Sequence, residues 1–363
     1  MKKGKQIKVL VSPLDWGLGH ATRCIPIIKA LLLNGADVII AASGSALILL
    51  QNEFPQLHAF NLKGFSPKYS RKSTLIGRMI LLIPSFLWSI WSEHRQLRKI
   101  LKKQPISVVI SDNRYGMWNR NTTNIFITHQ VFIKAPVGWN WLNPVLESIS
   151  RYLISFFDYC WIPDFKDDPN LSGELSHLKP LPSEYTFIGP LSRFEAEVDL
   201  QKQNNGILAI ISGPEPQRTI FENLIISQLS EMKVVATVVC GKYTLNPILE
   251  KKGMLTVISF ADSMTLKQLI VSSSLIICRS GYSSIMDLER LGKKALFVPT
   301  PGQTEQEYLA NYFMSKGITL GVSQKELNLK EQIPEASKYP GFVSKVPGPL
   351  IQGCIELLLA KTP

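Results

Sequence analysis

The stretch "CRSGYSSIMDLERLGKKALFVPTPGQTEQEYLANYF", Cys278 to Phe313, outlines a strand, a turn, a helix, a second strand and a second helix. An apolar run ends at Cys278, "RSG" makes the turn, helical periodicity follows, and "KALFVP" (Lys294 to Pro299) is a new apolar run ending in a polar loop. Short apolar strands joined by helices are the pattern of a parallel sheet with crossover connections.

The same pattern extends in both directions. In the second half it includes "GILAIIS" (Gly206 to Ser212), "KVVATVVC" (Lys233 to Cys240), "LTVISF" (Leu255 to Phe260), "SLIIC" (Ser274 to Cys278) and "ITLGV" (Ile318 to Val322). In the first half it includes "IKVLVS" (Ile7 to Ser12), "DVIIAAS" (Asp37 to Ser43), "SVVISD" (Ser107 to Asp112) and "NIFITHQ" (Asn124 to Gln130). Between them lies the polar, turn-rich "FEAEVDLQKQNNG", Phe194 to Gly206. The expected fold class is α/β, with two Rossmann-like domains, 1–194 and 207–346, a linker at 195–206 and a terminal helix within 347–363 able to pack on either domain. Ligands of such sheets bind at the carboxyl ends of the strands, so the loops there are the places to look for chemistry.

Composition narrows the setting. The 363 residues are 45% hydrophobic and 19% charged, as in ordinary globular chains, and the five cysteines are scattered without a CxxC, which suggests neither a disulfide framework nor a zinc site. A reducing, cytoplasmic location fits. The N-terminal apolar run is too short for a signal peptide, and "MILLIPSFLWSIW", Met79 to Trp91, falls short of the roughly 20 residues that span a bilayer. The net charge is +12, and residues 63–103 carry ten Lys or Arg against one acid, Glu93. With Phe86, Trp88 and Trp91 in it, that segment reads either as a core helix with a solvated basic end or as a peripheral contact with an anionic membrane. No nucleic-acid motif accompanies the charge, so nucleic acid is not an expected partner.

Several loops carry chemistry. Gly281 opens a helix whose first turn holds Ser283 and Ser284, and a helix start offers free N–H groups and partial positive charge to an anion. Asp287, within two turns, suits ribose hydroxyls, and Gln303, Gln306 and Glu307 of "TPGQTEQE" suit sugar hydroxyls. "SGPEPQR" sets Ser212 and Gly213 at a strand end before Pro214 and Pro216, which fits an ordinary turn or a phosphate loop. "PLDWGLGHATRC", Pro13 to Cys24, has Gly17 and Gly19 to form a tight turn and His20 near a helix start. It reads as a structural corner, as a general-base site with a neutral His20, or as a nucleotide site lacking the third glycine of the dinucleotide fingerprint. "DFKDD", with Asp164, Asp167 and Asp168, reads as a solvated loop, and no metal site is expected.

The motifs from Val257 to Asn311 resemble the donor half of GT-B glycosyltransferases of family 28, a family that includes a peptidoglycan N-acetylglucosaminyltransferase working on a lipid-linked acceptor. The resemblance covers most of the chain and implies two Rossmann-like domains facing each other across a cleft. It implies that His20 is the acceptor-side base in a loop with Trp16, Gly17 and Gly19, and that Arg193, Ser212 and Gly213 lie near the donor diphosphate. By the same resemblance Phe260 and Ala261 lie along a uracil base, Ser280, Gly281 and Ser283 at the phosphates, Asp287 at the ribose, and Gln306 and Glu307 at the sugar. Trp16 and Leu18 stand where the family is richer in glycine, "SGPEPQ" has prolines for glycines, and Asp287 replaces a glutamate. The implied activity is inverting, metal-independent and cofactor-free transfer of a sugar from a UDP-sugar to an acceptor hydroxyl. A nucleotide-sugar hydrolase of the same fold and a non-catalytic nucleotide-sugar-binding protein are the alternatives.

Overall fold

The computed structural model describes residues 6–63, 75–135, 138–195, 206–242, 248–344 and 350–362, with residues 75–83 as backbone only. The chain separates into two compact units. The first holds the chain up to Arg193 and takes in the C-terminal helix, and the second begins at Phe194. Of the linker expected at 195–206, residues 196–205 lie outside the described residues, as do 64–74 of the basic segment.

The first unit carries seven strands, β1 (Lys8–Pro13), β2 (Asp37–Ala42), β3 (His58–Asn61), β4 (Val108–Asp112), β5 (Thr123–Ile127), β6 (Tyr159–Ile162) and β7 (Tyr185–Phe187). Its helices are α1 (Leu18–Leu33), α2 (Gly44–Glu53), α3 (Leu75–Leu101), α4 (Asn143–Ile154) and the short α5 (Glu174–His177). The strand order is β3-β2-β1-β4-β5-β6-β7, with every pairing parallel. Direction reverses between β1 and β4, so the topological switch point lies there. Apolar runs such as Val9 to Val11 and Val108 to Ile110 are wholly buried, because helices cover both sheet faces. On one face Leu97 and Ile100 of α3 pack on Leu10, Ile39 and Val109.

The second unit repeats the plan with β8 (Ile207–Ile210), β9 (Ala236–Val239), β10 (Leu249–Lys252), β11 (Leu255–Ile258), β12 (Leu275–Cys278), β13 (Ala295–Phe297) and β14 (Leu320–Gly321). Its helices are α6 (Gln217–Glu231), α7 (Ser263–Ser272), α8 (Tyr282–Arg290), α9 (Thr304–Ser315) and α10 (Leu329–Lys338). The order is β10-β11-β9-β8-β12-β13-β14, with its switch point between β8 and β12. β10 pairs antiparallel with β11, so this sheet is mixed at one edge. The terminal helix, α11 (Leu350–Lys361), packs against α1 and belongs to the first unit.

Two buried polar clusters hold the loops of the first unit. Arg114, just past β4 and 1% exposed, donates from Nε to the Pro13 carbonyl at 2.7 Å, from Nη1 to Glu93 Oε1 at 2.9 Å and from Nη2 to Ser43 Oγ at 3.0 Å. One guanidinium thus ties the ends of β1, β2 and β4 to α3. Asp164 corrects the solvated reading of "DFKDD". It is fully buried and accepts from the amides of Phe165, Leu171 and Ser172 at 2.7, 2.8 and 2.8 Å, because its carboxylate supplies the acceptors the turn after β6 lacks.

Removing one partner of a buried ion pair leaves an uncompensated charge, at a cost of about 3–5 kcal/mol. All seven tryptophans, from Trp16 to Trp161, belong to the first unit, so their fluorescence reports its unfolding alone. Arg114→Met is expected to lower the stability measured this way in urea by that amount. A loss under about 1 kcal/mol would show that the network does not hold these strand ends together.

Candidate active site

At the first switch point the chain leaves β1, turns through Leu14 to Gly17 and enters α1 at Leu18. Gly17 has φ +84°, a left-handed conformation that favours glycine, and is the N-cap of α1. Gly19 differs from expectation. It already lies in the first helical turn, where its carbonyl accepts from Thr22 Oγ1 at 2.9 Å, so the tight turn depends on Gly17 alone. Trp16 is 47% exposed beside it.

His20, the third residue of α1, points back to the sheet. Its Nδ1 lies 3.2 Å from Oδ1 of Asp112, the last residue of β4, which is fully buried. Asp112 also pairs with Arg23, one turn along α1, which donates from Nε to Oδ2 at 2.7 Å and from Nη2 to Oδ1. Arg23 Nη1 lies 3.2 Å from Nδ1 of the buried His129, which follows β5. Burial alone would raise the Asp112 carboxyl, but Arg23 and His20 beside it hold it at about 2. Burial and the Arg23 charge lower the pKa of His20, with Asp112 opposing them, so the ring is neutral near pH 7. His20 Nε2 makes no hydrogen bond among the described residues. A neutral imidazole with an ionised carboxylate on one nitrogen and an open second nitrogen is equipped for proton transfer.

At the second switch point, β8 leads to Ser212 and Gly213, the latter with φ +111°, and then to α6. The α6 start differs from an open anion site, because the Glu215 carboxylate already accepts from the Thr219 amide at 3.3 Å. β12 leads to Arg279, Ser280 and Gly281, the N-cap of α8, with Ser283 in its first turn and Asp287, 7% exposed, in its second. Ser280 is fully buried and its hydroxyl donates to the Gln306 carbonyl at 2.7 Å, which commits that side chain inward. Gln303 is the N-cap of α9. Gln306 Oε1 accepts from the Thr300 amide and Glu307 Oε1 from the Gly302 amide, both at 2.9 Å. These two side chains therefore brace the loop they share with Gln303. Phe260 and Ala261 are half-buried after β11, ahead of Asp262, which caps α7 by accepting from the Thr265 amide at 2.7 Å.

The structure thus brings Ser212, Gly213, Ser280, Gly281, Ser283, Gln303, Gln306 and Glu307 to the carboxyl ends of β8, β12 and β13, whereas Arg193 belongs to the first unit. Four residues escaped the sequence reading. Asp112 ends one predicted strand and His129 lies next to the end of another, Arg23 lies in "GHATR", and Arg279 lies in "RSG". Arg279 is 1% exposed. It donates to the carbonyls of Val298, Pro299 and Gln217 and to Gln324 Oε1, and it lies 3.9 Å over the Phe221 ring. Burial draws its pKa down to about 9, and no carboxylate pairs with it among the described residues.

Residues 218–340 match the glycosyltransferase family 28 C-terminal domain, which covers the starts of α7, α8 and α9. The chain is a glycosyltransferase with the GT-B fold, and its second unit carries the family 28 C-terminal domain. It is 23% identical over 334 residues to an uncharacterized glycosyltransferase of Methanosarcina mazei, covering 86% of this chain and 84% of that one. It is 24% identical over 277 residues to the UDP-N-acetylglucosamine–N-acetylmuramyl-(pentapeptide) pyrophosphoryl-undecaprenol N-acetylglucosamine transferase of Pasteurella multocida, covering 74% and 73%. The glycosyltransferase of kitacinnamycin has the same fold, with a TM-score of 0.64 at 13% identity, over 99% of this chain and all of that one.

In this glycosyltransferase a carboxyl held at about 2, below its ordinary 3.8, stabilises the fold above pH about 4 and loses that contribution as the pH falls through about 2. Asp112→Asn is therefore expected to be less stable than wild type at neutral pH, with the difference shrinking between pH about 4 and about 2 in tryptophan-monitored denaturation. A difference constant over that range contradicts the assignment of an ionised Asp112.

Proposed function

We propose that this glycosyltransferase is inverting and metal-independent, and moves N-acetylglucosamine from a UDP-sugar to the hydroxyl of a lipid-linked acceptor. The observation that carries the proposal is His20 against the buried Asp112 at the β1–β4 switch point, in a chain whose second unit has the family 28 domain. His20 Nε2 takes the acceptor hydroxyl proton as that oxygen bonds to the anomeric carbon. The bond from that carbon to the diphosphate breaks on the opposite face, and the resulting imidazolium is stabilised by Asp112. Electrostatic stabilisation of the departing diphosphate is assigned to the N–H groups at the start of α8, to Ser212 and Gly213, to Arg193 and to the buried Arg279 cation. Asp287 is assigned to the ribose, Phe260 and Ala261 to the base, and Gln303, Gln306 and Glu307 to the sugar. The name of the Pasteurella relative supports the choice of donor and acceptor.

Loss of a general base costs about 10²–10⁴ in rate. His20→Ala is expected to lower kcat by that factor while leaving the thermal shift produced by UDP unchanged, and wild-type kcat/KM is expected to fall on the acid side only below pH 6.5. Turnover unchanged in His20→Ala removes the base from the mechanism. Release of free sugar from a UDP-sugar at full rate without acceptor would make the protein a hydrolase.

We further propose that the membrane face lies on α3, in the basic segment 63–103. Leu87, Trp88 and Trp91 are more than half exposed, and the Arg95 guanidinium lies 4.6 Å over the Trp91 ring. On α4, Val145, Ile149 and Tyr152 make a second exposed apolar row. No described helix is long and apolar enough to cross a membrane, so the contact proposed is peripheral. Flotation with anionic vesicles is expected at low salt and lost at high salt or in Trp88→Ser/Trp91→Ser. Indifference to lipid overturns this face as the contact.

A further inference from the structure

Neutral imidazole carries one ring proton, on Nδ1 or on Nε2, and the choice decides which nitrogen is basic. His20 Nδ1 has two neighbours of opposite demand. Arg23 Nη2, at 2.8 Å, can only donate. Asp112 Oδ1, at 3.2 Å and ionised, can only accept. One nitrogen cannot satisfy both. The nearer contact belongs to Arg23, and Oδ1 is already served by the same Nη2. The guanidinium is not free to turn aside, since Nε is held by Asp112 Oδ2 at 2.7 Å and Nη1 faces His129 Nδ1 at 3.2 Å, all within a buried cluster.

We propose that Arg23 is a positioning residue that holds neutral His20 in its Nε2–H tautomer before substrates bind, and so withholds the basic lone pair at Nε2. A water molecule at Nε2 then meets a donor instead of a base. The base-competent ring has its proton on Nδ1, directed at Asp112, which requires the Arg23–His20 hydrogen bond to open. The exchange moves no net proton, as Nε2 gives one to solvent and Nδ1 gains one. The proposal rests on the reading of His20 as the base, and it gives that base a resting state in which nucleotide-sugar is spared from hydrolysis.

The test is the tautomer itself, read in the full chain without substrate. The protein has only five histidines, so ¹⁵N-histidine labelling with long-range ¹H–¹⁵N correlation at about pH 8 can resolve them, with His20 assigned by its loss in His20→Gln. The expected result is an unprotonated Nδ1 and a protonated Nε2 in wild type. Arg23→Lys keeps a positive charge against Asp112, but its single nitrogen stops one bond short of the Nη2 position and no longer holds a donor against Nδ1, so His20 is expected to shift to the Nδ1–H pattern. An Nδ1–H pattern in wild type overturns the proposal, and so does an unchanged pattern in a folded Arg23→Lys. Because the spectrum needs no turnover, it stands apart from the His20→Ala assay. An Nε2–H ring in a protein whose His20→Ala variant stays active fails the base reading alone.

Discussion

The buried pairing of Arg23 with Asp112 is the constraint on which the first unit's site depends. Taking both charges out of water is costly, and only close, multiple hydrogen bonds offset it. The geometry supplies them: Nε and Nη2 of one guanidinium engage both oxygens of one carboxylate, while the remaining nitrogen turns to His129. Since Arg23 belongs to α1 and Asp112 to β4, the pair also fixes the rotation of α1 about its axis. His20, one turn earlier on the same face, is carried to the carboxylate by that rotation.

Apart from the antiparallel edge strand β10, both units follow one plan, and in each the candidate groups gather where the strand order reverses. In the first, a strand and a helix contribute side chains directly to the switch point. In the second, turns and helix starts line that place, with the Ser280 hydroxyl, Gln306 Oε1 and Glu307 Oε1 holding those turns in shape. Arg279 is the exception. A cation buried among carbonyls, with no carboxylate paired with it among the described residues, lends its charge to whatever approaches the ends of β8 and β12.

Much of the fold was legible because parallel strands buried on both faces are continuous apolar runs. β1, β2, β4, β5, β8, β9 and β11 to β14 all fall within or beside predicted runs. β3, β7 and β10 were not seen because they lie at sheet edges, half-buried or exposed, and carry no continuous apolar run, with β10, "LEKK", exposed throughout; β6, "YCWI", is buried over only three residues. His20 was legible from its turn. Its partners were not, because the meeting of Asp112 with Arg23, 89 residues away in sequence, is a product of strand order that no local spacing encodes. Asp164 was misread for a similar reason, since an acidic loop and a buried carboxylate capping its own turn look alike until the amides around it are placed.

The return of α11 to α1 makes the second unit an insertion in the first, entered at Phe194 and left near residue 346. Both ends of the inserted stretch are anchored in a folded body. When it unfolds it therefore does so as a closed loop, and gains less chain entropy than a tail of equal length. A single proteolytic nick between Glu195 and Gly206 would leave only α11 covalently attached to the second unit, so limited digestion at that place yields two fragments that travel together only while α11 stays docked on α1.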